Sequence, residues 1–245
     1  MFCLSSGSLY PYGLNRVFEI AKETGFKGLE IVMNQGYDSS DASYLQELSQ
    51  KNALPIVALK TPTEGNSPKK IEQALKIAGQ IKIPIITVRS PLFTDFKFTQ
   101  WFKTELPKLQ KNTNIKIAVE NVPYEKGGFL PKYAMRNLED LRRFDHLCLD
   151  TSHIVTQKLN LLKVYGVVHK RIALVHLSNY NNNQHHQLLK DGIVPLESFL
   201  TKLKADEFAE PVILKVTPEA LGGDDLNLVK TNLKAQIAFY DKYFA

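Results

Sequence analysis

Only two cysteines occur in the 245 residues, Cys3 and Cys148, and neither belongs to a C-x-x-C pair. That scarcity argues against a disulfide-stapled scaffold or a thiolate zinc knuckle, and both thiols lie in apolar, strand-like runs that suit burial. No Gly-x-Gly-x-x-Gly follows any strand-like run, so nothing marks a dinucleotide site. No segment approaches the roughly 20 apolar residues that span a bilayer, and the opening MFCLSSGSLYPYGLN has no basic stretch leading into a long apolar one. The expectation is a soluble, cytoplasmic protein without a membrane partner. Basic residues interleaved with aromatics are also missing. Lys69-Lys70, Arg142-Arg143 and His169-Lys170-Arg171 read as ordinary helix and loop-end charge, which disfavours nucleic acid as a partner. The formal charge of +6 suits either a small anionic ligand or scattered, solvated lysines.

What is present is a regular alternation. Apolar strand-like runs recur at Phe2 to Ser5, Gly28 to Met33, Pro55 to Leu59, Pro84 to Val88, Ile115 to Val119, His146 to Leu149, Ile172 to Val175 and Val212 to Val216. Helical spacing lies between them, as in Leu14, Val17, Phe18 and Ala21 or Ile71, Ala74, Leu75 and Ala78, with apolar residues three and four apart. Parallel strands need such crossovers. Eight βα periods in a chain of this length predict an α/β fold, a single (β/α)8 TIM barrel over residues 1–245, ahead of an open doubly wound sheet. The polar stretch Asn179 to Asp191 (NYNNNQHHQLLKD) reads as a loop insertion overhanging the face where barrel sites form. A last helix, Leu226 to Tyr243, is expected to pack over strand eight and close the barrel.

The C-terminal ends of the strands carry Glu30, Lys60, Arg89, Glu120 with Asn121, Asp150 with His153, His176, and Lys215. Carboxylates and imidazoles converging from neighbouring strands suit a divalent metal, which would polarise a carbonyl or a bound water. Plainer readings stand beside this one. Asp150, Thr151 or Ser152 can simply cap the next helix. Glu120 can be half of an ion pair with Lys60, Arg89 or Lys215, and His176 a hydrogen-bonded histidine.

These residues give the chain its resemblance. Gly28-Leu-Glu30-Ile, Val-Glu120-Asn-Val-Pro, Leu-Asp150-Thr-Ser-His153 and Val-His176-Leu-Ser resemble strands two, five, six and seven of the xylose-isomerase-like TIM barrels, which include sugar isomerases, sugar epimerases and apurinic-site endonucleases. The resemblance implies a central divalent metal, zinc or manganese, held by Glu120, Asp150, His176 and a glutamate from strand eight. Strand eight reads Pro-Val-Ile-Leu-Lys215-Val-Thr-Pro instead. The endonuclease histidines of strands three and four are replaced by Lys60 and Arg89, and Gln184 stands at the acidic position of a third metal site that keeps His153 and His186. A three-metal endonuclease is therefore not expected. An ammonium about 4 Å from a unit charge costs about 4 kcal/mol at an effective dielectric of 20, and nominally twice that against a divalent ion. Lys215 thus counts against the metal, and can itself fill the vacated position between Glu120 and Asp150.

Three functions follow as expectations. The first is a sugar or sugar-phosphate isomerase or epimerase in which Glu120 moves a proton beside a carbonyl. Lys215 and His153 assist, while Lys60, Arg89, Asn121 and His186 bind the carbohydrate or other anionic metabolite. The second is a metal-independent carbonyl enzyme using Lys60 or Lys215 as a Schiff-base nucleophile. The third is a non-catalytic barrel that binds an anionic metabolite through the same basic residues.

Overall fold

The structure is a computed structural model that describes residues 1–33, 36–62 and 64–244. Eight parallel strands close into a barrel: β1 (Phe2–Ser5), β2 (Leu29–Val32), β3 (Ile56–Lys60), β4 (Ile85–Arg89), β5 (Lys116–Glu120), β6 (His146–Asp150), β7 (Ile172–Leu177) and β8 (Val212–Leu214). Each pairs with its sequence neighbour and β8 pairs with β1, so no edge is left open. The register sets Arg89 beside Glu120 and Asp150 beside His176.

Two apolar clusters explain why these strands read as nearly continuous hydrophobic runs. Ile117, Val119, Leu147, Leu149, Val175 and Leu177 face the surrounding helices and join the larger core. Their strand neighbours Ala118, Cys148 and Leu174, with Cys3, Ala58, Ile85 and Ile213, form a separate cluster inside the barrel. Both faces are buried, but the barrel interior admits mainly small or medium side chains. Gly28 marks a tight point: a Cβ there would lie 2.8 Å from Val57 Cγ1 and 3.1 Å from Cys3 Sγ. Two residues further along the strands, the inward positions become Ser5, Glu30, Lys60, Thr87, Glu120, Asp150 and His176, all buried. A polar layer therefore sits on an apolar one, within the barrel wall rather than above it.

The loops after the strands shape the cup. The helix Thr151–Thr156 starts at Asp150, whose side chain accepts from Ser152 and His153 N–H. The stretch from Asn179 is not an irregular loop. It is an antiparallel hairpin, Asn179–Asn181 against Gln184–Gln187, turned by Asn182 and Asn183 at φ 47° and 60°. Paired left-handed residues make the tight hairpin turn that asparagine tolerates. A smaller hairpin, Lys126–Gly127 against Leu130–Pro131, leads into Tyr133, which bridges to Leu92. The last helix runs Leu226–Phe244. Tyr240 stacks on Phe2 of β1 at 4.1 Å between ring centroids, so the helix packs against the first strand. Among the described residues, no helix is long and apolar enough to cross a membrane.

Candidate active site

Glu120 is the centre of a buried charge network. Its Oε2 accepts from Lys60 Nζ at 2.8 Å and lies 3.5 Å from Arg89 Nε. Its Oε1 accepts from Lys215 Nζ at 2.7 Å and faces His176 Nδ1 at 2.7 Å. Lys215 Nζ also donates to Asp150 Oδ2 at 2.8 Å, so one ammonium joins two carboxylates from β5 and β6. Below it, His176 Nε2 meets Glu30 Oε1 at 2.8 Å. Glu30 in turn accepts from Ser5 at 2.9 Å and Thr87 at 3.2 Å.

These contacts fix the charges. A ring with a carboxylate oxygen at each nitrogen satisfies both only as imidazolium. Burial opposes that charge on His176, but Cys148 and Glu30 outweigh it and hold its pKa well above the usual histidine range. Burial likewise opposes ionisation of Glu120, yet Lys215 and Lys60 hold its carboxyl well below the usual carboxylate range. Asp150 is also held well below, by His153 and Lys215 against the effect of burial. Desolvation would free the Lys215 proton, but Asp150 and Glu120 more than compensate, and its pKa is raised above that of an ordinary lysine. An ammonium so held is not the neutral amine that Schiff-base formation requires.

Lys215 and Lys60 line a cavity of about 830 Å³ at the barrel mouth, shared with Arg89, His153, His185 and His186. Two of these histidines are neutral. His153 Nδ1 donates to the Asn121 carbonyl at 2.8 Å, and burial pushes its pKa down to about 3. Ser152 donates its hydroxyl proton to Asp150, so the Ser152 oxygen accepts from His186 Nδ1 at 3.2 Å. That assignment leaves His186 Nε2 as an acceptor. Burial and Lys215 together hold His186 well below the usual histidine range. His186 itself has φ 60°, a left-handed conformation that is uncommon for a bulky residue outside functional or constrained sites.

The expected residues divide by depth. Lys60, Arg89, His153, His186 and Lys215 reach the cavity. Glu120, Asp150 and His176 lie beneath it, fully buried. Asn121 does not line the cavity. Its Nδ2 donates to the Asp150 carbonyl and its Oδ1 accepts from Asp150 N–H, so it clasps β6 and aims Asp150. The helix-cap and ion-pair readings of Asp150 and Glu120 are both realised. Glu30 was among the expected strand-end residues; Thr87 and Cys148 were not. The inward two-residue period through Ala58–Lys60, Ala118–Glu120 and Cys148–Asp150 was the available signal. Tyr133 and His185 arrive by hairpins and had none.

Residues 18–236 match the family model described as xylose isomerase-like TIM barrel. The chain belongs to this family. A curated relative, an uncharacterized protein of Mycobacterium leprae (strain TN), is 22% identical over 251 residues, covering 89% of each chain. Among solved structures, 3-keto-D-glucoside 4-epimerase of E. coli superposes with a TM-score of 0.76 at 16% identity, covering 98% of both chains. D-allulose 3-epimerase from Methylomonas sp., in complex with D-allulose, gives 0.74 at 15% identity over 99% of this chain and 96% of that one. At these identities the likeness shows the fold.

Among the described residues, two groups of donors come close enough to hold a metal ion, Glu120 with Cys148 and His176, and Asp150 with His153 and His186, each with ligand atoms within 4.8 Å of one another. The four-ligand set implied by the family resemblance is another matter. Its strand-eight position is Lys215, whose ammonium already bridges Glu120 and Asp150, and His176 has carboxylates at both nitrogens. A cation at that centre would meet an ammonium and an imidazolium, so this donor set does not fit it.

Proposed function

We propose that the barrel is a carbohydrate isomerase in which Lys215 supplies the positive charge that stabilises an enediolate. The observation that carries this reading is the bridging ammonium, 2.7 Å from Glu120 and 2.8 Å from Asp150, on the wall of a cavity large enough for a small sugar. A fixed charge aimed at a developing oxyanion lowers its energy without reorganising at the moment of reaction.

In this reading Glu120 is a positioning counter-ion rather than the base. Both of its oxygens are engaged and four cationic groups lower its proton affinity. His186 is the group placed to take the proton: it is neutral, faces the cavity and keeps Nε2 available. His153, whose ring centroid lies 5.2 Å from that of His186, and Lys60 orient hydroxyls. Zinc or manganese has no step to perform in this scheme.

The test is solvent-deuterium exchange at the carbon beside the carbonyl, followed by NMR across a panel of aldoses, ketoses, their phosphates and the corresponding sugar acids. Exchange with at least one sugar is expected, reduced about 100-fold or more in Lys215→Met and His186→Gln, the scale set by loss of one oxyanion donor or one general base. It should persist after chelation. Exchange that survives Lys215→Met, or that requires added zinc or manganese, would overturn the proposal.

A further inference from the structure

Arg89 is the least satisfied charged group in the site. It is 9% exposed, yet its Nε is buried without a hydrogen-bond partner and sits 3.5 Å from Glu120, beyond a strong hydrogen bond. Its NH2 meets His153 Nε2 at 3.4 Å, a long contact. The guanidinium carbon lies 5.2 Å from the Tyr133 ring centroid, which helps to fix its plane, and the group lines the cavity. A desolvated guanidinium with unused donors is costly unless an oxyanion completes it.

The surrounding charge limits what that oxyanion can be. Three buried carboxylates, Glu30, Glu120 and Asp150, share the interior with Lys60, Arg89 and Lys215. At the mouth, Glu125 is paired with Lys132 at 2.6 Å, while Glu64 and Asp95 add two negative charges to the wall. One ligand charge is met by the Arg89 guanidinium on the cavity wall. A second would be left uncompensated and repelled by the rim.

We propose that the cavity takes a carboxylate-bearing carbohydrate derivative, a monoanion, with its carboxylate seated against Arg89. This rests on the reading of the cavity as the substrate site, and it names the substrate class as sugar acids rather than neutral sugars or sugar phosphates.

The chain has six arginines, so a protein labelled with 15N at arginine Nε yields few signals. The Arg89 signal is assigned with Arg89→Lys. Should that variant not fold, it is assigned by elimination with replacements of Arg16, Arg136, Arg142, Arg143 and Arg171. The wild-type protein is then titrated at constant ionic strength, near pH 8, with glycolate, its neutral isostere glycolamide, and methyl phosphate, which is dianionic there because the second pKa of such esters is about 6. The expected result is a saturable shift of Arg89 with glycolate, at least about tenfold tighter than with glycolamide or methyl phosphate, the scale of one charge-assisted hydrogen bond. No shift with glycolate, equal shifts with glycolamide, or tighter binding of methyl phosphate would overturn the proposal. Its failure is separable from that of the isomerase reading. A glycolate-specific shift without deuterium exchange removes the proton chemistry and leaves the carboxylate subsite. Exchange without the shift does the reverse.

Discussion

Replacing Lys215 by Met removes one charge while keeping most of the stem that packs beneath it. In the wild type, Nζ lies 2.7 Å from Glu120 and 2.8 Å from Asp150. Each contact is worth about 6 kcal/mol of gross attraction at an effective dielectric of 20, most of it offset by desolvation of the ammonium. Glu120 keeps Lys60, Arg89 and His176 after the change. Asp150 keeps hydrogen bonds from Ser152 and the His153 N–H but loses its close cationic partner. Breaking a buried pair by removing one member costs about 3–5 kcal/mol, and the retained partners place this case near 3. For a chain of this size that corresponds to a fall in Tm of about 6–12 °C. Urea unfolding near pH 7.5, with two probes to check for a single transition, measures the difference directly. Both carboxyls are depressed in the fold, so their contribution is present above their unfolded pKa values and is lost as pH falls toward the folded ones. The gap between wild type and variant should therefore narrow below about pH 4. A loss under about 1 kcal/mol, or a gap that widens in acid, would refute the bridging role.

Two further outcomes follow from the histidines and the hairpin. His153 has a folded pKa of about 3 against about 6.5 unfolded, so its buried neutral ring costs stability as pH falls below 6.5. Between pH 7.5 and 4.5 the wild type should lose about 2–3 kcal/mol more than His153→Gln, read from urea midpoints at each pH; equal losses would show that the ring protonates freely in the fold. Asn183 holds φ 60° at the hairpin turn, where a β-branched residue is strained by about 1–2 kcal/mol. Asn183→Val should loosen His185 and His186 and weaken ligand binding while the melting transition stays cooperative, whereas Asn183→Gly should leave both near wild type.

The barrel was legible because its period is written in the chain. All eight strands fall within two residues of the expected runs. The departure at Lys215 was also legible, since one residue type in a known register implies one contact. The depth of the site was not. A strand buried on both faces shows apolar residues throughout, so the inward side can be told from the helix-facing side only by side-chain size: Ala118 against Val119, Cys148 against Leu149. Glu30 and His176 consequently read as exposed strand ends, although both lie inside the wall with no accessible surface. Asn121 was placed at the ligand because it follows Glu120, but at that point the chain leaves β5 and its amide turns to the β6 backbone. The Asn182-Asn183 turn carried a hairpin signal that its polar flanks concealed, since Gln184 to Gln187 lack the apolar alternation of a strand.

The central claim is that Lys215 stands in the metal's place, and metal stoichiometry tests it most directly. Untagged wild type and Lys215→Glu are each equilibrated with zinc or manganese, desalted and measured by elemental analysis. Unfolding is then followed with and without metal. The account predicts no metal retained at the Glu120 centre of the wild type. It predicts about one ion per chain in Lys215→Glu, with metal restoring stability by about 4 kcal/mol at a thousandfold excess over Kd. Stoichiometric metal in the wild type that is lost on replacing Glu120 or His176 would contradict it.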